Sequence, residues 1–290
     1  MINTYDFAVK DPAYFKQLSV KDLLFLYYKC PQVEKKMDFY AHYNMLVYTL
    51  SGKKRLSHQG RSFYMTDNTS LLVRKTAYNS ERFYEADWEV IAFYMPDDFL
   101  AKTFHEFQLA NKAATVSSKP QEMLLEVNID ESTKAFFYGT LPLFSQTPAP
   151  PESLLELKFR ELIFHILSNP LNENFRSYLG SLKESQKISL QEVMEANFNF
   201  NLTLDEYARL CHRSLASFKR DFEKVFHTTP GKWIIGKRLE YARGLLQHSR
   251  GTITEIAAES GFENLPHFIK VFKEKFHTTP LQYKKRQAVN

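Results

Sequence analysis

Glycine is scarce in this chain, with nine in 290 residues. No glycine-rich run stands where a phosphate-cradling loop or a strained nucleophile turn would need one, which argues against nucleotide-binding folds and against hydrolases of that kind. Cysteine is scarcer still. Cys30 and Cys211 fall in different expected domains, so they read as free thiols in a reducing cytoplasm and not as a disulfide framework. No stretch approaches the ~20 consecutive apolar residues of a membrane span. Met1 to Lys10 lacks a basic segment leading into an apolar one, so no secretion signal is expected and the location reads as cytoplasmic. Metal-ligand spacing is missing as well. His42 and His58 stand sixteen positions apart, without the three or four convergent ligands that a site requires. The expectation is a chain with no metal, no cofactor and no catalytic residues.

What the chain does contain, it writes twice. Phe218, Phe222 and Phe226 lead into His227, Thr228, Thr229 and Pro230; fifty positions later Phe268, Phe272 and Phe276 lead into His277, Thr278, Thr279 and Pro280. Two copies are too few for a solenoid and indicate a duplicated unit. Phenylalanines at i, i+4 and i+8 share one helix face. Between them sit Lys219, Arg220, Glu223 and Lys224 in one copy, and Lys270, Lys273, Glu274 and Lys275 in the other, so each helix has an aromatic inner face and a basic outer one. A shorter helix precedes each. Thr203 with Glu206, and Thr252 with Glu255, have the spacing of a capping box. Ser214 and Asn264 are suited to cap the longer helices, and Gly261 supplies the left-handed residue that ends the second short one. A short helix, a tight turn and a second helix with a basic face form a helix-turn-helix, expected here at about 203–226 and 252–276.

Between the copies Pro230 fits a first helical position. The run to Leu246 carries Trp233, Ile234, Leu239, Ala242, Leu245 and Leu246 on one side, with Lys237, Arg238 and Arg243 read as facing out. A helix over 230–246 spans about 25 Å at ~1.5 Å per residue. Such a strut can hold two recognition helices roughly one duplex turn, ~34 Å, apart. Residues 185–290 hold 17 Lys and Arg against 11 Asp and Glu, whereas the remainder holds 21 against 22. The cationic surplus therefore belongs to the repeated part, as docking on phosphates requires.

Arg238, Ala242, Leu245 and Leu246, then Ile253, Ile256, Ala257, Gly261, Phe262, Phe268 and Phe272, and finally Thr279, Pro280 and Tyr283, resemble the signature of the AraC-type (AraC/XylS) transcription regulators. The resemblance covers about residues 185–290. It implies seven helices, two helix-turn-helix units on a rigid connecting helix, and double-stranded promoter DNA as partner, with RNA polymerase a further partner of an activator. By the same resemblance Leu215, Ala216, Lys219 and Arg220 of the first recognition helix face bases, as do Leu265, Pro266, Ile269 and Lys270 of the second. Leu265, Pro266 and Ile269 depart from the polar pattern. They cannot donate hydrogen bonds to base edges, so the second unit is expected to give thymine-methyl contacts and phosphate anchoring.

In the first half, residues 1–30 read as an arm, with Asp22 to Tyr28 open between strand and helix. Short strands with turn signals follow at Asn44–Leu50, Lys54–Ser57, Arg61–Met65, Leu71–Arg74, Arg82–Tyr84 and Trp88–Met95. They suggest a small antiparallel barrel or sandwich, and the family resemblance implies a cupin-like sensory barrel at this place. Tyr40, His42, Tyr48, Arg74, Tyr78, Trp88 and Tyr94 offer aromatic walls with polar tips, and Tyr48, Arg74 and Trp88 are the candidate ligand residues for a small-molecule effector. Arg74, inside an apolar run, needs a partner or a route to solvent. Helices are expected after Asp97, over Ser132–Phe144 and over Glu152–Leu167; the family resemblance implies a homodimer contact through them, and a cover for the barrel is the other reading. The fold class is α+β. A cupin-like β-barrel with flanking helices occupies 1–170, a linker 171–187, and an all-α DNA-binding domain 188–290. Two other readings stay open: the same regulator governed by a protein partner, and a cupin-type enzyme with an accessory nucleic-acid module.

Overall fold

The computed structural model describes residues 1–12, 14–30, 34–83, 87–111, 122–182, 189–249 and 251–287. The chain divides into two units, Met1–Lys187 and Ile188–Asn290. The first opens with β1 (Ile2–Asn3), α1 (Thr4–Lys10), β2 (Lys16–Val20), β3 (Leu23–Lys29) and β4 (Lys36–Ala41). β5 (Asn44–Ser51), β6 (Lys54–His58), β7 (Arg61–Met65), β8 (Ser70–Val73), β9 (Thr76–Arg82) and β10 (Glu89–Met95) follow. They form a five-stranded sheet in the order β1-β4-β9-β6-β7 and a six-stranded one ending in β5-β10-β3-β2.

Strand alternation assigns each side chain to a layer. On β3, β5 and β10 the residues Leu24, Leu26, Met45, Val47, Val90, Ala92 and Tyr94 pack with Ala41, Leu56 and Tyr78 of the five-stranded sheet. Their alternates Phe25, Leu46, Tyr48, Ile91 and Phe93 enter a second core that includes helical residues. These helices are α2 (Asp97–Asn111), α3 (Glu131–Thr140), α4 (Glu152–Ser168) and α5 (Glu173–Ser181), with β11 (Leu124–Val127) between α2 and α3. The six-stranded sheet is thus covered on both faces, which is why its strands read as near-continuous apolar runs. Phe25 stacks on Phe93 at 4.2 Å and Tyr48 on Phe137 at 3.9 Å. Burying each such ring contributes about 1.5–3 kcal/mol.

The α+β class holds, and the cupin-like half takes the form of two open sheets with a helical layer; no strand among the described residues closes them into a cylinder. Two expectations change. Residues 1–30 are no free arm, because the alternating Leu23–Leu26 run builds β3 into the six-stranded sheet and β1 pairs with β4. Nor is 171–187 a linker throughout: α5 sends Phe175, Tyr178 and Leu179 into the helical core. Its remainder, 183–187, lies outside the described residues, as do Tyr84 and 112–120, where a strand end and a loop were expected.

The second unit has seven helices among its described residues: α6 (Leu190–Asn197), α7 (Leu204–Leu210), α8 (Leu215–Phe226), α9 (Pro230–His248), α10 (Ile253–Glu259), α11 (Leu265–Phe276) and α12 (Pro280–Gln287). The duplication extends to their ends. Both capping boxes form, Thr203 with Glu206 and Thr252 with Glu255. Each is worth about 1 kcal/mol. His227 and His277 close α8 and α11 in the left-handed conformation, at φ of 53° and 56°. Phe218 and Phe222 pack with Tyr207 and Trp233, while Phe268 and Phe272 pack with Leu239, Ala242, Leu246 and Ile256. α9 thus contributes to both aromatic clusters.

Candidate nucleic-acid interface and interior cavity

α8 starts where Ser214 accepts the Ser217 N–H at 3.3 Å. Phe218 and Phe222 are 0% exposed, so the opposite face must meet solvent. On it Ala216, Lys219 and Arg220 are exposed, and Leu215 is half-buried. Arg220 Nε lies 3.4 Å from Asp221 Oδ1, and Arg213 Nε lies 3.2 Å from Asp221 Oδ2. Pairs made by so exposed a carboxylate are weak and screened by solvent. Arg220 so weakly held keeps its guanidinium donors available to an external acceptor.

α11 repeats the arrangement with other chemistry. Asn264 accepts the His267 N–H at 2.8 Å, and Phe268 and Phe272 are fully buried. Pro266, Ile269 and Lys270 are exposed. Leu265 packs partly against the core. Lys275, grouped with the outer cations by its spacing, pairs instead with Glu240 of α9 at 2.9 Å and donates to the Gly236 carbonyl at 3.2 Å.

Arg238 overturns its sequence reading. It does not face out: its guanidinium donates from Nε to the Phe198 carbonyl (2.6 Å), from Nη2 to the Phe200 carbonyl (2.9 Å) and from Nη1 to the Gly261 carbonyl (2.6 Å). One side chain of the connecting helix therefore joins the segment before the first helix-turn-helix to the turn of the second. No periodicity reveals this, because a planar five-donor cation satisfies carbonyls as readily as solvent.

In the first unit the candidate ligand residues separate. Tyr48 points into the helical core, its hydroxyl donating to Asn68 Oδ1 at 2.7 Å. Arg74 is buried, donates to the Glu122 carbonyl at 2.9 Å, and lies 4.3 Å above the Tyr178 ring. The carbonyl and the ring face meet part of what its burial demands. Neither lines the cavity of about 320 Å³ that opens in the inter-sheet core; Trp88, Tyr78 and Tyr94 do. Trp88 Nε1 donates to Thr49 Oγ1 at 3.1 Å, which fixes the indole in its wall. His42 instead contacts Asn3 at 2.8 Å.

Cavity residues missed from sequence include Lys54, Phe39 and Cys30, with Phe7, Ala8 and Phe15 from the N-terminal segment. Lys54 Nζ lies 2.9 Å from Cys30 Sγ and 4.6 Å from the centre of the Trp88 ring. Burial pulls its ammonium below the ordinary lysine range. A signal existed: Lys54 is two residues from Leu56 on a strand, and alternation turns both the same way. Among the described residues no group of three or more His, Cys, Asp or Glu is placed to hold a metal ion.

Residues 44–178 match the family model of the ExsA N-terminal regulatory domain, and 207–286 match that of a helix-turn-helix domain. The thermoregulatory protein LcrF of Yersinia pestis is 25% identical over 234 residues, covering 80% of this chain and 86% of that protein. The HTH-type transcriptional regulator ExsA of Pseudomonas aeruginosa is 31% identical over 130 residues, covering 45% of this chain and 47% of that protein. Among solved structures, ToxT from Vibrio cholerae aligns over 91% of this chain and 98% of its own, with 14% identity and a TM-score of 0.43.

Proposed function

We infer the working of this chain from one premise: it is a DNA-binding transcription regulator of the AraC type. In this reading α8 and α11 enter successive major grooves of promoter DNA, one duplex turn of ~34 Å apart. Lys219 and Arg220 meet base edges, with Leu215 and Ala216 at the entering turn of α8. Leu265, Pro266 and Ile269 of α11 touch thymine methyl groups, while Lys270 grips phosphate. The observation that carries this division is the complete burial of Phe218, Phe222, Phe268 and Phe272, which leaves each helix one face for DNA. The two helices then do unequal work, one reading sequence and the other anchoring.

The test is a pair of alanine substitutions measured on the cognate site and on random DNA. Arg220→Ala should weaken the cognate complex by about 1–3 kcal/mol and the random one far less. Equal losses would reduce Arg220 to a backbone contact. Lys270→Ala should weaken both complexes alike and lower the salt slope by about one counterion. A sequence-selective loss would transfer base reading to α11.

The first unit, on this reading, is the sensing half, acting in the cytoplasm and without catalysis of its own. What favours a small-molecule signal over a protein partner is the cavity: a volume of about 320 Å³ with aromatic walls suits a small ligand. A fully packed inter-sheet core would have favoured the protein partner.

A further inference from the structure

A sulfur and a nitrogen base meet in the wall of the inter-sheet cavity. Cys30 is the only thiol, and Lys54 the only basic side chain, among the described residues that line it. Lys54 Nζ donates to Cys30 Sγ at 2.9 Å, and among the described residues that sulfur is its one hydrogen-bond partner. Lys54 is 4% exposed, held over the Trp88 ring at 4.6 Å. One sulfur occupies one of its N–H groups, so others stay available to whatever enters the cavity. Cys30 is half-buried, whereas Cys211 of the second unit is buried. A thiol in contact with a base is the pairing that makes sulfur a nucleophile.

We propose that Cys30 is a covalent modification site for neutral, apolar α,β-unsaturated carbonyl compounds, captured by its sulfur inside the inter-sheet cavity. This rests on reading the cavity as a ligand site. Its size decides between a carbon electrophile and a small oxidant. A space of about 320 Å³ walled by Leu26, Met45, Leu56, Phe39 and Trp88 gives area to a hydrocarbon body. It offers nothing to a peroxide of two oxygen atoms. In the addition the Cys30 proton passes to Lys54 Nζ and the sulfur bonds to the β carbon. The π pair of the double bond moves towards the carbonyl oxygen, which accepts an N–H from Lys54. The α carbon then takes the proton back. One C–S and one C–H bond form, one S–H and one C=C π bond break, and nothing is oxidised, reduced or released. Burial lowers the proton affinity of Lys54, which favours the amine that this transfer needs.

The test treats the full chain with the enone benzylideneacetone and maps adducts by peptide mass spectrometry. Benzylacetone, its saturated counterpart, reports on the cavity without reacting. Cys30 should gain one enone at least about tenfold faster than glutathione does under the same conditions, and benzylacetone should slow it by occupying the cavity. In Lys54→Met, which keeps the volume and removes the base, the Cys30 rate should fall about tenfold. Its pH profile should also move to that of glutathione, a change that a lysine with a packing role alone would not produce. If Lys54→Met does not fold, the unaltered chain decides: relative to glutathione, Cys30 should favour the enone over iodoacetamide by about tenfold. A Cys30 rate no higher than that of glutathione would overturn the proposal, as would a rate and pH profile unchanged in Lys54→Met. Benzylacetone bound in calorimetry with no adduct on Cys30 would overturn the proposal and leave the cavity a ligand site. Neither binding nor adduct up to about 1 mM would overturn the proposal together with the cavity reading.

Discussion

β6 buries Lys54, Leu56 and His58 in alternation, so one short strand carries two basic side chains into apolar surroundings. For His58 the consequence is a dependence on pH. Burial drives its imidazole down to about 4, partly opposed by the bond to the Ala77 carbonyl at 2.8 Å, with Arg74 nearby lowering it further. Folded His58 is therefore neutral where the unfolded residue, titrating near 6.5, already takes up protons. Its stabilisation is whole above pH ~6.5 and drains away as pH falls towards 4, by roughly 3 kcal/mol at most. Urea unfolding of the first unit at pH 7 and pH 4.5 should show this loss, and His58→Gln should flatten it. An unchanged pH slope in the variant would remove His58 as the cause. At this scale the sequence was least legible. Strand alternation could have turned Lys54 inward with Leu56, yet nothing local could have told that Arg74 would settle on the Tyr178 ring, 104 positions away in the chain.

At the scale of elements, Gly261 and His212 occupy the same point of the two repeats, the first left-handed residue after the shorter helix, with φ of 86° and 48°. His212 is exposed and tolerates a side chain there. At Gly261 a Cβ would stand 2.6 Å from the Asn199 carbonyl oxygen and 2.8 Å from Arg238 Nε. Gly261→Ala should therefore cost more than the ~1 kcal/mol of a left-handed alanine, on the order of 2–4 kcal/mol, because the Arg238 bonds must give way as well. Denaturant titration of the second unit measures it; a loss below ~1 kcal/mol would mean that the turn shifts freely. Helices were the most legible elements. The phenylalanine spacing and the Thr–Glu boxes depend on contacts three or four residues apart, which a linear sequence displays. α9 was placed correctly over 230–246 and runs on to His248, yet the direction of Arg238 within it was not visible, since its acceptors come from two distant segments.

For the molecule as a whole, the cationic surplus and the duplicated helices both belong to 188–290, and that unit carries its own aromatic core. Expressed alone, residues 189–290 should fold cooperatively and bind random DNA with the salt slope of the full chain, since every proposed phosphate contact lies within them. A fragment that stays unfolded, or whose slope falls by more than about one counterion, would place part of the DNA grip in the first half. The α+β division was legible because composition and periodicity change together near the boundary. The arrangement of the sheets was not. Pairing β1 with β4, and β9 between β4 and β6, joins strands across dozens of residues, and residues of the N-terminal segment line the cavity.

The three carbonyls gathered on Arg238 bear on how operators can be built. A planar cation bonded at 2.6–2.9 Å to the segment before the first helix-turn-helix and to the turn of the second leaves little freedom of angle between the two units. Such a protein behaves as a fixed caliper. On the proposed docking of α8 and α11 it should accept half-sites only at one helical phase, and inserting about 5 base pairs, half a duplex turn, would carry the second half-site to the far side of the DNA.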